Sequence, residues 1–145
     1  MQLPLYTGQI GFIKDKRKSD LVKIILFNFI GIFFVLLLKV ISDPDFIISL
    51  SEKATLKFDK TVLRMFIDGF ICGTLIHFAV KCKKMLLTCM AVIIFILTGS
   101  EHCIADFPYL LCVPSLLNLL KFFMVIMGNS CGAIFLENML QKEGK

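Results

Sequence analysis

Residues 98–106 read TGSEHCIAD and stand between two apolar runs, LLTCMAVIIFIL at 86–97 and FPYLLCV at 107–113. A helix from Met85 to Leu97 reaches roughly 20 Å, about two thirds of a hydrocarbon core. Ile104 to Val113 offers about ten residues, too few to cross alone but enough to finish the crossing. The stretch 85–113 therefore reads as one membrane span broken around Glu101, His102 and Asp106. The simpler alternative is an outer joint between two short helices, with both carboxylates hydrated.

Lipid cannot satisfy the backbone groups of an interrupted helix. A break at membrane depth needs burial by protein or access to water, which implies a cavity or a pathway. Ionisable side chains are costly there, about 2.5–3.5 kcal/mol for Asp, Lys or Arg at mid-helix on insertion scales. A neutral imidazole enters such a site cheaply and exchanges protons near neutral pH, which singles out His102. The half-helix beginning near Ile104 turns its N-terminal dipole and free N–H groups toward the break, an arrangement that favours an anion.

The rest of the 145 residues suits a bilayer. The apolar share is 57% and the mean hydropathy +0.84, more than a soluble domain of this length would bury. The net charge of +5 comes from short basic clusters between apolar runs rather than from one basic face, so the partner is the lipid bilayer and not nucleic acid. Six cysteines, none in a Cys-x-x-Cys pair, read as unpaired membrane thiols, and neither a metal site nor a cofactor is expected. No nucleophile and base pair, phosphate loop or ligand set marks an enzyme. Residues 1–12 lack the basic start, long apolar stretch and small-residue cleavage site of a signal peptide.

Hydropathy places four transmembrane segments at 20–41, 61–80, 85–113 and 115–140 in an all-α integral membrane protein. In the first, Lys23 and Lys39 snorkel at the ends while Asn28 and Gly31 sit inside. The second contains Asp68, Gly69, Gly73 and His77, residues that admit a close neighbouring helix and supply polar contacts. Asp68 is either protonated or paired with Arg64 one turn away. His77 lies near the Lys81 to Lys84 stretch, which favours packing or an interfacial role over a place on the pathway. The loop at 42–60 carries charges of both signs that keep it in water, with room for a short amphipathic surface element.

Lys14, Lys16, Arg17 and Lys18 precede the first segment, Lys81, Lys83 and Lys84 follow the second, and Lys142 and Lys145 follow the last. All three groups fall on one side, which the positive-inside rule makes cytoplasmic. Both termini are then cytoplasmic, and the loop at 42–60 is external. Asn28-Phe-Ile-Gly31 and Asn129-Ser-Cys-Gly132 share the Asn-x-x-Gly spacing on helices that run in opposite directions. With two broken segments, LYTGQ at 5–9 and TGSEHCIAD, they indicate inverted-topology repeats.

Gly99-Ser-Glu101-His102-Cys-Ile-Ala105-Asp106 resembles the G-F-E-H-S-x-A-N signature of the formate/nitrite transporter family. Leu5-Tyr6-Thr7-Gly8-Gln9 resembles that family's L-F-T-G-N loop, and NFIG and GNSCGA resemble its G-N-x-x-G-A-type packing motifs. The resemblance covers nearly the whole chain. It implies an aquaporin-like inverted-repeat channel fold of six spans in two halves, assembled as a homopentamer with one pore per subunit. It also implies passage of small monovalent anions such as formate or nitrite, together with a proton.

On that mapping the segments here correspond to the family's third to sixth helices, and 1–12 to the second half of its broken second helix. The family's first span and the start of its second have no counterpart before Met1, so a separate chain is one source of them. His102 falls on the central pore histidine, Glu101 beside it, and Leu5, Tyr6 and Thr7 on the opposing loop, with Thr7 facing the histidine. Asn28, Gly31, Asn129 and Gly132 fall on helix-packing positions. The chain departs from the family where Gly69 or Gly73 replaces an Asn, where Lys53 or Lys57 takes the place of a vestibule cation, and where Asp106 replaces an Asn.

The expected function is a channel or transporter subunit for small monovalent anions, proton-linked through His102. It would be multi-pass in the plasma or inner membrane. The alternative is a truncated membrane fragment that acts only as an assembly partner.

Overall fold

A computed structural model describes residues 5–13, 18–82 and 84–143, and every element among them is helical. In chain order these are α1 (Tyr6–Gln9), running into a 3-10 turn (Ile10–Phe12), α2 (Lys18–Ser42), α3 (Phe46–Phe58), α4 (Val62–Lys81), α5 (Met85–Leu97), α6 (Cys103–Cys112) and α7 (Leu116–Glu143). Three of them, α2, α4 and α7, are long and apolar enough to cross a membrane. At 13 and 10 residues, α5 and α6 are each too short to do so alone. Lys14, Lys16, Arg17, Lys83 and Lys145, and the side chain of Lys18, on which much of the orientation argument rests, lie outside the described residues.

The centre of the molecule is the contact between α4 and α7, and it exists because glycines recur every fourth residue on both. Gly69 and Gly73 on α4 face Val125 and Asn129, while Gly128 and Gly132 on α7 face Phe66 and Phe70. Small residues at this spacing let two backbones approach closely without a hydrophobic drive between helices in lipid. A Cβ on Gly73 would overlap the Asn129 backbone carbonyl, and one on Gly132 would overlap that of Phe70. Residue numbers rise together along this seam, so the two helices run parallel. Thr74 Oγ1 adds hydrogen bonds to the carbonyls of Phe70 on its own helix and Gly132 across the seam, at 3.0 and 3.3 Å.

Around that pair the short elements assemble. The α1 segment packs on α4 and α7, and α6 lies between α2, α3 and α7. Phe29, Phe107 and Phe122 join α2, α6 and α7, with ring centroids of Phe29 and Phe107 4.7 Å apart. By contrast, none of the most apolar stretch of α2 is buried. Phe27, Ile30 and Phe34 all point away from the protein. Gly31, expected to pack a helix, has nothing within 4 Å of where its Cβ would stand, so it packs none of the described helices. All six cysteines are free.

The region 42–60 forms the short amphipathic element for which the sequence leaves room, but its apolar face is buried against the protein. Asp43, Pro44 and Asp45 end α2 as the sequence indicates, but the chain then forms a helix of 13 residues whose Leu50, Ala54 and Phe58 are buried. Its apolar positions at 50, 54 and 58 recur every turn and give it a face to lay on α6. Lys121, buried on α7, donates from Nζ to the Phe58 carbonyl and holds the helix C-terminus, where a cation also meets the negative end of the dipole.

Candidate functional site

The joint at 98–102 is built by backbone geometry first. Gly99 takes φ +59°, a left-handed conformation that ends α5 and that other residues adopt only with strain. Thr98 Oγ1 and Ser100 Oγ then share a hydrogen bond of 2.6 Å, and the chain re-enters helix through His102 as N-cap. His102 Nδ1 accepts the backbone N–H of Ala105 at 3.3 Å. Asn129, fully buried on α7, accepts the N–H of Cys103 at 3.0 Å and donates to the carbonyls of Gly69 and Glu101 at 2.8 and 2.9 Å.

The free N–H groups expected to face an anion are therefore partly taken: Asn129 holds that of Cys103 and the His102 ring holds that of Ala105. His102 Nε2 is buried and has no hydrogen-bond partner among the described residues. Since Nδ1 acts as an acceptor, the proton of the neutral ring belongs on Nε2. The imidazole thus offers the break a buried N–H donor that no side chain or backbone group among the described residues uses.

The N-terminal segment repeats this construction. Asn28 Oδ1 accepts the N–H of Tyr6, the first residue of α1, at 3.0 Å, as Asn129 does for the first residue of α6. The Asn-x-x-Gly echo is thereby two equivalent caps. Leu5 precedes Tyr6 as His102 precedes Cys103. The two helix starts meet where Thr7 Oγ1 lies 3.7 Å from Cys103 Sγ and donates to Asn129 Oδ1 at 3.4 Å. Thr7 accordingly bonds the neighbours of His102 and makes no bond to the ring it was expected to face. Tyr6 is buried and reaches Ser130 Oγ with its hydroxyl at 3.1 Å.

Lys57 on α3 and Lys60 just after it bring cations to the buried carboxylates. Lys57 Nζ lies 2.5 Å from Glu101 Oε2 and 3.1 Å from Asp106 Oδ1, and Lys60 Nζ lies 2.5 Å from Glu101 Oε1 and 2.8 Å from Asp68 Oδ2. Asp68 is paired chiefly with Lys60 rather than with Arg64, whose Nε is 3.8 Å away. Burial disfavours the charge on Lys57, but Asp106 and Glu101 outweigh it and hold its pKa above the ordinary lysine value. Burial is likewise overcome at Lys60 by Asp68 and Glu101, again raising the pKa. Both ammonium groups therefore stay charged at neutral pH.

A second polar cluster lies at the far end of α4. His77 is fully buried, with Nδ1 3.1 Å from the Gly8 carbonyl and Nε2 2.8 Å from Glu137 Oε2, and Lys81 Nζ lies 2.7 Å from the same oxygen. Gly11 leaves room for the imidazole, which a Cβ there would overlap. Neither the capping role of Asn129 nor the partners of Glu101 and His77 follows from local sequence. A signal for the last was present, because Glu137 is a solitary carboxylate in an apolar run and His77 and Lys81 share one helix face at i,i+4.

Comparisons with protein-family models, with curated proteins and with solved structures gave no match to this chain.

Proposed function

We propose that this chain is a subunit of a channel or transporter for small monovalent anions of the formate or nitrite type, linked to protons through His102. The single observation that supports it most is the buried, unpartnered Nε2 of His102 at the start of α6. A donor without an acceptor is costly in a low-dielectric interior and is relieved by an anion that accepts from it. In this reading α5 and α6 together make a fourth crossing, the termini are cytoplasmic, and the pore belongs to an aquaporin-like, pentameric assembly in the inner membrane.

The cap at Nδ1 determines how a proton enters. A second proton can reach the ring only at Nδ1, where it displaces the Ala105 N–H. An anion at Nε2 attracts the doubly protonated ring, so anion arrival and loss of the cap are coupled. Transfer of the Nε2 proton to the anion yields a neutral acid, which passes an apolar stretch without the cost of a buried charge. The ring resets once Nε2 regains a proton and Nδ1 releases its own to restore the cap.

Formate uptake by membrane vesicles from the native host, with the chain deleted and restored as His102→Asn or as parent, tests this reading. Uptake driven by a pH gradient should fall at least tenfold in His102→Asn and lose its dependence on external pH. Equal rate and equal pH dependence would leave 98–106 as a polar joint only. One observation favours the alternative of a non-conducting assembly partner: among the described residues no position in the most apolar stretch of α2 is fully buried, and Phe27, Ile30 and Phe34 on its outer face are exposed.

A further inference from the structure

His77 stands between two acceptors. Its Nδ1 lies 3.1 Å from the Gly8 carbonyl oxygen and its Nε2 2.8 Å from Glu137 Oε2, and the ring is fully buried. A carbonyl oxygen and an ionised carboxylate only accept, whereas a neutral imidazole carries one N–H and one lone pair. A neutral ring would therefore set its lone pair against an oxygen in a low-dielectric interior, where an unmade hydrogen bond is costly. One further proton turns both contacts into hydrogen bonds. Both carboxylate oxygens meet other donors as well, the Lys81 ammonium 2.7 Å from Oε2 and the Gln141 amide 2.9 Å from Oε1, so that proton belongs on the ring rather than on Glu137. Of the elements around the ring, α1, the 3-10 turn and α5 contain no charged residue. Glu137 on α7 and Lys81 on α4 are thus the charged groups bonded there among the described residues.

We propose that His77 and Glu137 form a proton-binding site at the far end of α4, and that the proton bound there makes an imidazolium that clamps the N-terminal half-helix to α4 and α7. Asn28 already holds the first residue of that half-helix. His77 takes the Gly8 carbonyl near its other end, and Gly11 leaves the room the ring needs. Lys81 shares the carboxylate without expelling the imidazolium, because its side chain is partly exposed and its charge is screened there. Removing the proton leaves the ring one N–H, which goes to the charged acceptor, Glu137. The Gly8 carbonyl then faces a lone pair and the clamp on α4 is lost. The site stands whether or not the break conducts an anion.

Nitrogen NMR of ring-labelled histidine tests the site in the chain isolated with its native lipids. The chain has two histidines, and His102→Asn, which keeps an N-capping side chain at position 102, leaves the His77 signal alone. At neutral pH both ring nitrogens should carry a proton. Raising the pH until one is lost should bare Nδ1, and amide exchange across residues 6–12 should then rise about tenfold beyond the intrinsic effect of pH, with the α4–α7 seam unchanged. Glu137→Gln should give a neutral ring with Nε2 bare instead, because an amide can donate to Nε2 and leave Nδ1–H for Gly8, and exchange across 6–12 should lose its extra pH dependence. His77→Phe, which has no donor, should show the raised exchange at every pH. A neutral ring in the parent at neutral pH, an imidazolium that persists in Glu137→Gln, or exchange across 6–12 that His77→Phe leaves unchanged would each overturn the proposal.

Discussion

Asn129 and Cys103 are joined by a hydrogen bond of 3.0 Å from the Cys103 backbone N–H to Oδ1, while the same amide donates to the carbonyls of Gly69 and Glu101. One buried side chain thus satisfies the backbone on both sides of the break. Asn129→Ala should strand the Cys103 N–H and the Glu101 carbonyl, at about 1–3 kcal/mol for each buried group left unpaired. Asn28 is only half-buried, so Asn28→Ala should cost less. Thermal unfolding in detergent gives the order; an equal loss from both would contradict it.

Lys57→Met should be among the most damaging single changes outside the α4–α7 seam. It leaves Asp106 without its cation and Glu101 with Lys60 alone, and breaking a buried pair from one side costs about 3–5 kcal/mol. Adding Asp106→Asn should recover much of that loss, because the second change removes the charge that the first one strands. Chemical denaturation of the single and double variants measures the recovery.

The pH dependence of the same contact has a definite sign. The folded pKa of Lys57 lies above its unfolded value of about 10.4, so its contribution is fully present below that pH and is lost as pH rises through the folded value. The stability difference between parent and Lys57→Met should therefore be flat from neutrality to pH 9 and shrink above about pH 10.5. A difference that vanishes between pH 7 and 9 would show that the ammonium is not held as described.

Gly132→Ala should push α7 away from α4, because the new methyl overlaps the Phe70 carbonyl and backbone cannot move aside as a flexible side chain can. Overpacking of this kind costs about 1–3 kcal/mol. Gly31→Ala should be silent in the isolated chain. Comparing the two in a detergent melting series separates a used glycine from an unused one.

What the sequence conveyed and what it concealed divide along a physical line. The division of 85–113 into two short helices was legible because a polar stretch parts two apolar runs of about 13 and 10 residues, each too short to cross a bilayer alone. The Asn-x-x-Gly echo was visible as well, but only as packing; Gly132 packs on α4, no described residue packs on Gly31, and the capping role appeared once Tyr6 and Cys103 were placed beside the two amides. The part played by 42–60 was concealed. Charges of both signs there look like solvation, and Lys57 meets Glu101 only after the chain has turned back across 44 positions (101 − 57). Glu137 and His77 are 60 apart and were hidden for the same reason.

The side chain that closes the break belongs to a helix made after both of the halves it joins. When α5 and α6 emerge from the ribosome, neither Asn129 nor the glycine face of α7 yet exists, so the Cys103 N–H and the Glu101 carbonyl are still without the partner that Asn129 later provides. Such groups cannot remain bare in lipid. Biogenesis therefore has an order: Lys57 and Lys60 must clasp Glu101, or the insertion machinery must shelter 98–106, until α7 arrives and packs parallel along α4. A chain stopped before residue 129 should be held there and then degraded rather than released into the bilayer.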